Sequence, residues 1–575
     1  MRKITFLSFS ILLFSNFLLA QGGLYEVPLD EQVNNSQLIV EGKVISTESF
    51  WDEDYKLIYT LNTIEVSKSF KGQSKPIIEV VTLGGVVGDT GLSVTHHLEL
   101  SKNETGVFLL NDSNVQLIGS ETDNPKYKVY SSAQGFYRYD NVTNKVSNVF
   151  ETYGDIEDEF YEAVESMTKK KFTEIKKTSK LSLVKESNSS LAIPFVSNFS
   201  PSTVTAGTGN TITINGFNFG ATQGTVQFTN ADEVSGFVDA LSSDITNWTN
   251  TSITVKVPHR AGTGVVRVRN DDGFSDTGQL TIPFAIQNRN GLMMQHYDTD
   301  NNGGYTWQMS VEFFNSTAKA PFLRAFNNVV CSTGINWVLS PTNTSGGGFF
   351  RDGINVIAFD PPGDEFAAGV LGAALNWTTS CVTGVVVDEI DFVFDNERSN
   401  WNYGPGSTPG NQIDFETVAL HELGHGHGFG HVKTNGDLMF RSVGNGVDNR
   451  TFGVENINGG NFINIESSTN AQCGKTLMST ITCPSLGLDE LALNESVNLY
   501  PNPTNGVFYI TNNLSINLQK IVVFDVSGRL VSEKNYANTQ SNATKVINLE
   551  AMSKGVYFVN IHSDVAKITR KLVLD

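Results

Sequence analysis

Residues 413–431 read IDFETVALHELGHGHGFGH, in which an apolar run is followed by four histidines and four glycines in eleven positions. His421 and His425 are four residues apart, so on an α-helix their imidazoles share one face and can converge on one metal ion. Asp414 is suited to cap such a helix, and Glu416 lies in the first turn, where the helix dipole favours negative charge. The pattern therefore predicts a helix that ends among the glycines.

The other two histidines of this stretch differ in what they can reach. His427 lies two residues after His425, about 200° around the helix, so we exclude it from the metal. On a continuous helix His431 would lie about 15 Å along the axis from His421. The chain must bend first, and Gly428 permits this because glycine enters positive φ without penalty. His421, His425 and His431 then form a three-nitrogen site with its fourth position left for water, as in catalytic zinc sites.

Glu422 follows the first predicted ligand and is expected to point towards the open coordination position. A carboxylate there can take a proton from water and pass it to a leaving amine, while the metal ion polarises the carbonyl under attack. A structural metal site has no use for this carboxylate and normally closes its fourth position with Cys or His. The residues therefore favour a catalytic zinc centre over a structural site or a glycine-rich loop with incidental histidines.

The stretch resembles the metzincin metalloproteases, HExxHxxGxxH, at every fixed position. The family has a methionine turn beneath the metal, and Met439 in DLMF has the spacing of the matrixin branch, so we prefer it to Met478 in TLMSTI. Phe440 and Arg441 follow it where astacin-like and serralysin-like members carry a tyrosine, so no tyrosine ligand is expected. GVLGAALNW and VDEIDFVFDNE also resemble matrixin sequences. The resemblance covers about 290–487 and implies an α+β (α/β/α-like) zinc endopeptidase domain acting on protein or peptide substrates.

The region before this domain has a different pattern of apolar and polar residues. Residues 21–165 contain short alternating runs such as LIVEGKVI, which predict a β-rich domain closed by the helix-like acidic stretch DIEDEFYEAVESM. His96 and His97 are adjacent, so on a strand they would face opposite sides, and we interpret them as surface histidines. Residues 166–192 are basic and then serine-rich, which predicts an exposed linker open to proteolysis.

The cysteines bear on both stability and latency. Four occur, all in one third of the chain: Cys331, Cys381, Cys473 and Cys483. In an exported protein an even, clustered set predicts two disulfides, with three pairings possible. No cysteine precedes Cys331, so a cysteine cannot hold the protease latent. If residues 21–165 act as a pro-domain, another ligand or steric cover must do so, and activation would cut the linker.

Two further regions are predicted to be small β-sandwiches. Residues 193–286 have short strands and regularly spaced glycine turns. SPSTVTAGTGNTITINGFNFG and NWTNTSITVKVP there resemble the IPT/TIG immunoglobulin-like family, which implies a module that spaces or binds. Residues 494–575 contain YPNPTNGVFYI, VFDVSGRLV and KITRKLVLD, which resemble the type A sorting domain of the type IX secretion system. That resemblance implies export by the type IX machinery.

The start of the chain agrees with export. Residues 1–20 carry Arg2 and Lys3, a short apolar stretch and Ala20 at the expected cut, which predicts a signal peptide. No later segment is long and apolar enough to span a bilayer. The net charge of −20 argues against a nucleic-acid partner, because phosphate binding needs a basic surface. We therefore expect a secreted or cell-surface protein.

A calcium site is a weaker possibility. DTDNNG (298–303) matches the first six positions of a calcium loop, but the twelfth position is Met309 rather than glutamate. The pattern favours an acidic turn before a strand, although the matrixin resemblance leaves structural calcium open.

The sequence thus predicts a multidomain protein in which a metzincin-like α+β domain is flanked by all-β domains. The predicted function is a secreted zinc endopeptidase in which Glu422 is the general base. The alternative is a non-catalytic surface adhesin with a vestigial metal site. Glu422 discriminates between them, because an adhesin has no use for a carboxylate at that position.

Overall fold

The computed structural model describes residues 22–575 with the exception of several segments, which are 121, 141, 177–191, 345–349, 361–366, 399, 483–492, 494–496, 513–517, 537–543 and 564–566. The predicted signal peptide, most of the predicted linker and Cys483 lie outside the described residues. The chain is multidomain and mostly β. In the described part of the chain, no helix is long and apolar enough to cross a membrane.

The N-terminal region is a β-barrel with two short helices. Its strands are β1 (Leu38–Trp51), β2 (Ile58–Lys71), β3 (Ile77–Leu83), β4 (Gly85–Val87), β5 (Thr90–Val94), β6 (Thr105–Asp112), β7 (Lys126–Val129), β8 (Phe136–Asp140), β9 (Lys145–Ser147), β10 (Thr152–Tyr153) and β11 (Thr173–Glu174). The order β1-β2-β3-β7-β6 closes because β6 also pairs with β1. The helices are α1 (Leu29–Asn35) and α2 (Glu162–Thr168), and α2 follows a π-helical segment, Ile156–Tyr161. The predicted acidic helix is therefore present.

The β4–β5 hairpin does not belong to this barrel. It joins the sheet of the third region, where β5 pairs with an edge strand described below. Strand β11 pairs with β2, so elements that pack on the barrel continue to residue 174.

The second region is a sandwich of two four-stranded sheets. Its strands are β12 (Phe195–Ser200), β13 (Thr211–Phe217), β14 (Thr225–Asn230), β15 (Phe237–Asp239), β16 (Ile245–Trp248), β17 (Ser252–Lys256), β18 (Ala261–Asn270) and β19 (Gly273–Leu280). One sheet has the order β12-β13-β17-β16 and the other β15-β14-β18-β19. Buried and less buried residues alternate along β13 and β14, as expected for strands with one face in a core.

The third region contains a mixed sheet and four helices. Its strands are β20 (Asn288–Arg289), β21 (Leu292–Gln295), β22 (Tyr305–Met309), β23 (Trp337–Leu339), β24 (Asn355–Phe359), β25 (Gly372–Ser380), β26 (Val385–Phe394), β27 (Trp401–Asn402) and β28 (Ile413–Asp414). The sheet order is β23-β22-β24-β26-β25, followed by β5 and β4 from the N-terminal region. The first four strands are parallel, and β25 is antiparallel to β26. Strand β26 is almost wholly buried, as is usual for a strand covered on both faces.

The helices of this region pack on the sheet and on one another. They are α3 (Val311–Phe314), α4 (Lys319–Thr333), α5 (Phe415–His427) and α6 (Val454–Thr469). Helix α4 buries Phe322, Phe326, Val329 and Val330, at the spacing that places side chains on one helical face. Every residue of α5 is buried, so the helix that carries the histidines lies inside the domain rather than on its surface.

One disulfide of this region joins Cys381, beside the β25–β26 turn, to Cys473, beyond α6. Cys331 is also disulfide-bonded. The sequence had left three pairings open, and the Cys381–Cys473 bond reduces that number.

The C-terminal region is a sandwich of three and four strands. Its strands are β29 (Val497–Tyr500), β30 (Val507–Asn512), β31 (Leu518–Asp525), β32 (Leu530–Asn535), β33 (Lys545–Asn548), β34 (Gly555–Ser563) and β35 (Lys567–Leu574). The two sheets have the orders β29-β30-β33 and β32-β31-β34-β35.

Candidate metal centre

Helix α5 places two of the predicted ligands. Its N-cap is Asp414, whose carboxylate accepts a hydrogen bond from the backbone N–H of Thr417 at 2.9 Å. Arg450 holds the same carboxylate through Nε at 2.9 Å, which fixes the start of the helix. The helix ends where Gly428 adopts φ of 108°, and the N–H of Phe429 returns to the carbonyl of Gly424 at 3.0 Å. This left-handed residue reverses the chain beyond the helix.

The reversal brings three histidines together. The Nε2 atom of His425 lies 2.9 Å from Nε2 of His421 and 3.1 Å from Nε2 of His431. A tetrahedral zinc ion, with Zn–N distances of about 2.0–2.1 Å, separates two ligand nitrogens by roughly 3.4 Å. The three side chains are thus arranged at close to the spacing that one metal ion requires.

The hydrogen bonds at the Nδ1 atoms of these histidines show why a cation fits between their Nε2 atoms. The Nδ1 atoms of His421, His425 and His431 face oxygen acceptors: the carbonyl of Leu438 at 2.7 Å, the carbonyl of Phe429 at 2.8 Å, and the carboxylate of Asp232 at 2.8 Å. In the neutral ring, a proton on Nδ1 leaves a lone pair on Nε2. Three lone pairs pointing at one another repel, and a metal ion removes the repulsion.

Burial keeps these rings neutral. It lowers the pKa of His421 well below its usual value, and the neighbouring histidines lower it further. Burial, together with the repulsion between protonated forms of His425 and His431, lowers the pKa of His425 to about 3. Neutral imidazole is the form that binds metal, so the cluster is ready to bind at neutral pH.

The fourth histidine of the motif lies elsewhere, as its angular position on the helix predicts. The Nε2 atom of His427 is 3.0 Å from the hydroxyl of Thr333 on α4. The carbonyl of His427 accepts a hydrogen bond from Nε2 of His296 at 3.0 Å. His427 therefore links α5 to its neighbours in the core.

Met439 lies beneath the histidine helix. Its side chain is 1% exposed, and its sulfur is so close to Gly424 that a Cβ atom there would be 2.6 Å from it. The carbonyl of Met439 also accepts from the N–H of Val432, next to the last histidine, at 2.9 Å. Met478, the other candidate, instead donates its N–H to Ser467 near the end of α6.

Glu422 is fully buried beside the cluster. One carboxylate oxygen lies 2.9 Å from Nε2 of His96, and the other accepts a hydrogen bond from the hydroxyl of Thr95 at 2.9 Å. Burial alone would raise the pKa of Glu422, but the attraction of His96 and these hydrogen bonds hold the pKa below its usual value. The carboxylate is therefore ionised.

The interpretation of His96 and His97 as surface histidines was wrong. Strand β5 ends at Val94, and His96 adopts φ of 62°, which turns its side chain out of the strand alternation. The side chain of His96 is 0% exposed, and His97 is partly buried. His96, His421, His425 and His431 each offer a ligand atom, and these atoms lie within 4.8 Å of one another. Sequence periodicity could not reveal this contact because it joins two distant regions.

Asp232, in the β14–β15 loop, was also missed. Its carboxylate lies 2.8 Å from Nδ1 of His431, and Arg260 holds its other oxygen. Burial would raise the pKa of Asp232, but Arg260 and His431 hold it well below its usual value. The second region was expected only to space or bind, yet it contacts a predicted metal ligand.

The carboxylates of the DTDNNG segment are hydrogen-bonded to the backbone of the same segment. The carboxylates of Asp298 and Asp300 accept hydrogen bonds from the backbone of Gly303 at 3.0 Å and Asn302 at 2.8 Å, and strand β22 follows at Tyr305. This is the acidic turn before a strand that the sequence favoured. Within the described residues, the group of three or more His, Cys, Asp or Glu side chains placed to hold a metal is the histidine cluster.

Comparison with known families assigns three segments of the chain. The Matrixin family model matches residues 359–458, the IPT/TIG domain model matches residues 194–282, and the secretion system C-terminal sorting domain model matches residues 498–575. A search of curated proteins finds no match. The chain thus combines a segment similar to the matrixin metallopeptidases with a segment similar to IPT/TIG domains and a C-terminal segment similar to the sorting domains of a secretion system.

Proposed function

We propose that the protein is a secreted, zinc-dependent endopeptidase that hydrolyses peptide bonds of extracellular proteins. The observation that supports this most strongly is the position of Glu422, a buried ionised carboxylate beside three neutral imidazoles whose Nε2 atoms converge. The sorting domain supports export, and the predicted signal peptide agrees with it.

His421, His425 and His431 are the residues that would hold zinc. Bound there, zinc would act as a Lewis acid that polarises the substrate carbonyl and makes water more acidic. The oxygen partners of the three Nδ1 atoms orient each ring and fix its tautomer. Met439 supports the site from below by packing against Gly424.

Glu422 would act as the general base and then as the general acid. It takes a proton from the attacking water as the oxygen–carbon bond forms. It then gives this proton to the amine nitrogen as the carbon–nitrogen bond breaks.

Strand β25 offers a docking edge for the substrate. One side of β25 pairs with β26, and its other side runs past the histidine cluster, where it is paired with β5 in this structure. An extended peptide can add to such an edge through main-chain hydrogen bonds, which suits cleavage of unfolded or loop segments of proteins.

The test uses the full chain with a site-specific protease sequence inserted within residues 177–191, so that the N-terminal region can be cut away. The zinc-loaded product is assayed on casein and on a broad peptide library. We expect cleavage inside peptide chains. Glu422→Gln, which preserves shape but cannot take a proton, should retain zinc and lose about 10²–10⁴-fold in rate.

Two results would contradict the proposal. If Glu422→Gln cleaves as fast as the wild type, Glu422 is not the general base. If the zinc-loaded, cut protein cleaves no peptide of the library, the adhesin alternative is favoured.

A further inference from the structure

Two segments of the N-terminal region occupy the edge of β25. Strand β5 pairs with it antiparallel, from Thr90 opposite Thr379 to Val94 opposite Leu375, and Thr95 continues the pairing with its N–H on the carbonyl of Ala374 at 3.2 Å. The hydroxyl of Thr95 also accepts the N–H of Ala374 at 2.9 Å.

The second segment lies just after the predicted signal peptide. The carbonyl of Gly23 accepts the N–H of Leu371 at 2.9 Å, and the N–H of Tyr25 donates to the carbonyl of Gly369 at 2.9 Å. On its other side, the carbonyl of Leu24 accepts the N–H of Val443 at 2.9 Å, so this segment lies in a cleft between residues 369–371 and Val443. Both segments run antiparallel to the same edge, so together they cover the length on which a peptide would pair.

The point at which one segment gives way to the other lies beside the histidine cluster. A Cβ atom on Gly23 would lie 2.2 Å from the carboxylate of Glu422 and 2.1 Å from Nε2 of His96, so the main chain there is in close contact with both. The ring of His96 is centred 5.3–5.4 Å from the rings of His421, His425 and His431. Water and a scissile peptide bond would have to occupy this same space.

His96 has the features of a metal ligand rather than of a residue that only blocks access to the metal site. Its side chain is fully buried, and its Nδ1 atom has no hydrogen-bond partner, a costly arrangement for a buried polar atom. The hydroxyl of Ser132 donates to the carbonyl of His96 at 2.7 Å and so fixes the turn that presents the ring. A fourth imidazole closes a zinc site that otherwise keeps one position open.

The contact is also apolar and extensive. Leu24, Leu92 and Val94 share one buried cluster with Val370 and Leu375 of the matrixin region. Trp51 stacks on Trp377, with ring centroids 5.8 Å apart. Burial on this scale disfavours spontaneous opening, so the N-terminal region should leave only after the chain is cut.

We propose that residues 22–176 are a pro-domain that keeps the peptidase latent, with β5 and residues 23–25 filling the cleft and His96 serving as a fourth metal ligand. This inference rests on the proposed function. Latency ends when the covalent connection through residues 177–191 is cut and the pro-domain dissociates.

The first test examines the metal without using activity. The full chain is loaded with cobalt(II), and its visible absorption is compared with that of His96→Ala and of His562→Ala, which removes a histidine from the C-terminal domain. We expect His96→Ala alone to change the spectrum. We also expect acetohydroxamate, a small metal chelator, to bind the His96→Ala protein at least tenfold more tightly than the wild type.

Identical spectra and hydroxamate affinities in the wild type and His96→Ala would overturn the role of His96. A second measurement covers the case in which His96→Ala fails to fold. The wild type is cut within residues 177–191 and the N-terminal region is separated, after which the cobalt spectrum should shift and hydroxamate should bind.

The two proposals fail in different ways. Equal peptidase activity before and after the cut would overturn latency while leaving the endopeptidase intact. A cobalt spectrum that responds to His96→Ala, in a protein that cleaves no peptide after the cut, would contradict the proposed function but retain His96 as a ligand.

A different observation carries a second inference, which concerns the IPT/TIG domain. Besides the contact of Asp232 with His431, the segment that leaves this domain pairs with the turn that returns His431. The N–H of Gly430 donates to the carbonyl of Ala285 at 2.9 Å, and the N–H of Gln287 donates to the carbonyl of Gly428 at 2.7 Å. The domain therefore holds both the backbone and the ring of the third histidine.

We infer that Asp232 is a positioning residue for the metal centre, acting through His431. A carboxylate that accepts from a ligand imidazole orients the ring and increases its basicity, and loss of such a group typically weakens metal binding 10–100-fold. The IPT/TIG domain is then part of the peptidase rather than a spacer. This inference also rests on the proposed function.

The test compares Asp232→Asn with Asp239→Asn, an exposed carboxylate on strand β15 of the same domain. Zinc affinity is measured in the full chain by competition with a chelator, together with the thermal midpoint of the metal-free protein. We expect Asp232→Asn alone to weaken zinc binding 10–100-fold. In the cut protein it should lower kcat more than it raises KM.

Zinc affinity within twofold of the wild type would overturn this role. A lower thermal midpoint of the metal-free protein, without a change in zinc affinity, would show that Asp232 acts only on folding. Neither result bears on whether the protein is a peptidase.

Discussion

Nε2 of His96 lies 2.9 Å from the carboxylate of Glu422, although 326 positions separate the two residues in the chain. The carboxylate that we assign as the general base is therefore held by the N-terminal region. Any measurement on the uncut chain concerns this paired state.

Substitution of Glu422 should separate metal binding from turnover. In the cut protein, Glu422→Gln should bind zinc within a few-fold of the wild type. The predicted metal ligands are the three converging histidines, and Glu422 is not one of them. The substitution should reduce kcat by about 10²–10⁴-fold, because the proton acceptor is lost. The prediction is checked by measuring the zinc content by elemental analysis and the initial rates on one peptide. A loss of zinc in the variant would contradict it and would make Glu422 part of the metal site.

Gly428→Ala should weaken the site by straining the bend. At φ of 108° an L-residue is disfavoured, and its Cβ would lie 3.3 Å from Ile463. We expect a loss of about 1–2 kcal/mol in stability together with weaker zinc binding, because His431 follows the bend. Gly353→Ala is the matched control, since Gly353 has φ of 81° but open space around its Cβ position. Equal zinc affinities in the two variants would contradict a role for Gly428 in placing His431.

Stability should fall as the pH is lowered below about 6.5. Burial lowers the pKa of His296 to about 4, and burial with the charge of His296 lowers the pKa of His427 to about 3. The unfolded chain takes up these protons near pH 6.5 while the folded chain does not, so protons favour unfolding. The expected slope is about 1.4 kcal/mol per pH unit for each histidine.

His427→Gln tests this slope, because glutamine can still meet Thr333 but does not titrate. Urea unfolding of the metal-free protein at pH 7, 6 and 5 should show a smaller pH dependence in the variant than in the wild type. His562→Gln in the C-terminal domain should leave the transition of the matrixin region unchanged. An equal slope in His427→Gln and the wild type would show that His427 takes up its proton equally in the folded and unfolded chains, so that burial does not lower its pKa.

Removal of the Cys381–Cys473 disulfide should destabilise the matrixin region. The bond joins residues 92 apart in sequence, so its loss frees a long loop in the unfolded chain. The double variant Cys381→Ser, Cys473→Ser leaves no unpaired thiol from this bond and should lose about 2–5 kcal/mol. Chemical unfolding without reductant measures the loss, and a difference below about 1 kcal/mol would contradict the expectation.

Much of the metal centre could be predicted from short-range geometry. The spacing of His421 and His425 on a helix, the exclusion of His427 and the bend at Gly428 all follow from the helical repeat and the conformational freedom of glycine. The structure places these residues as that reasoning expects. The preference for Met439 rested on the family resemblance, and the residue lies beneath the helix.

The contacts of the N-terminal and IPT/TIG regions with this centre could not be predicted. His96 follows a strand by two residues and adopts a positive φ, a conformation that alternation along a strand does not anticipate. Asp232 lies in a loop, where no periodicity identifies a partner. Both residues reach the histidine cluster only because separately folded regions dock on the matrixin region.

The sequence by itself therefore determined the local arrangement: a helix with two predicted ligands one turn apart, a glycine bend, a third predicted ligand and an adjacent carboxylate. These features depend on residues within eleven positions of one another, whose relative placement is set by backbone geometry. Only the tertiary structure decided what covers that chemistry and what orients it. His96 and Asp232 meet the cluster across 325 and 199 positions of the chain, counted to His421 and His431, and such contacts arise from the burial of apolar surface between regions.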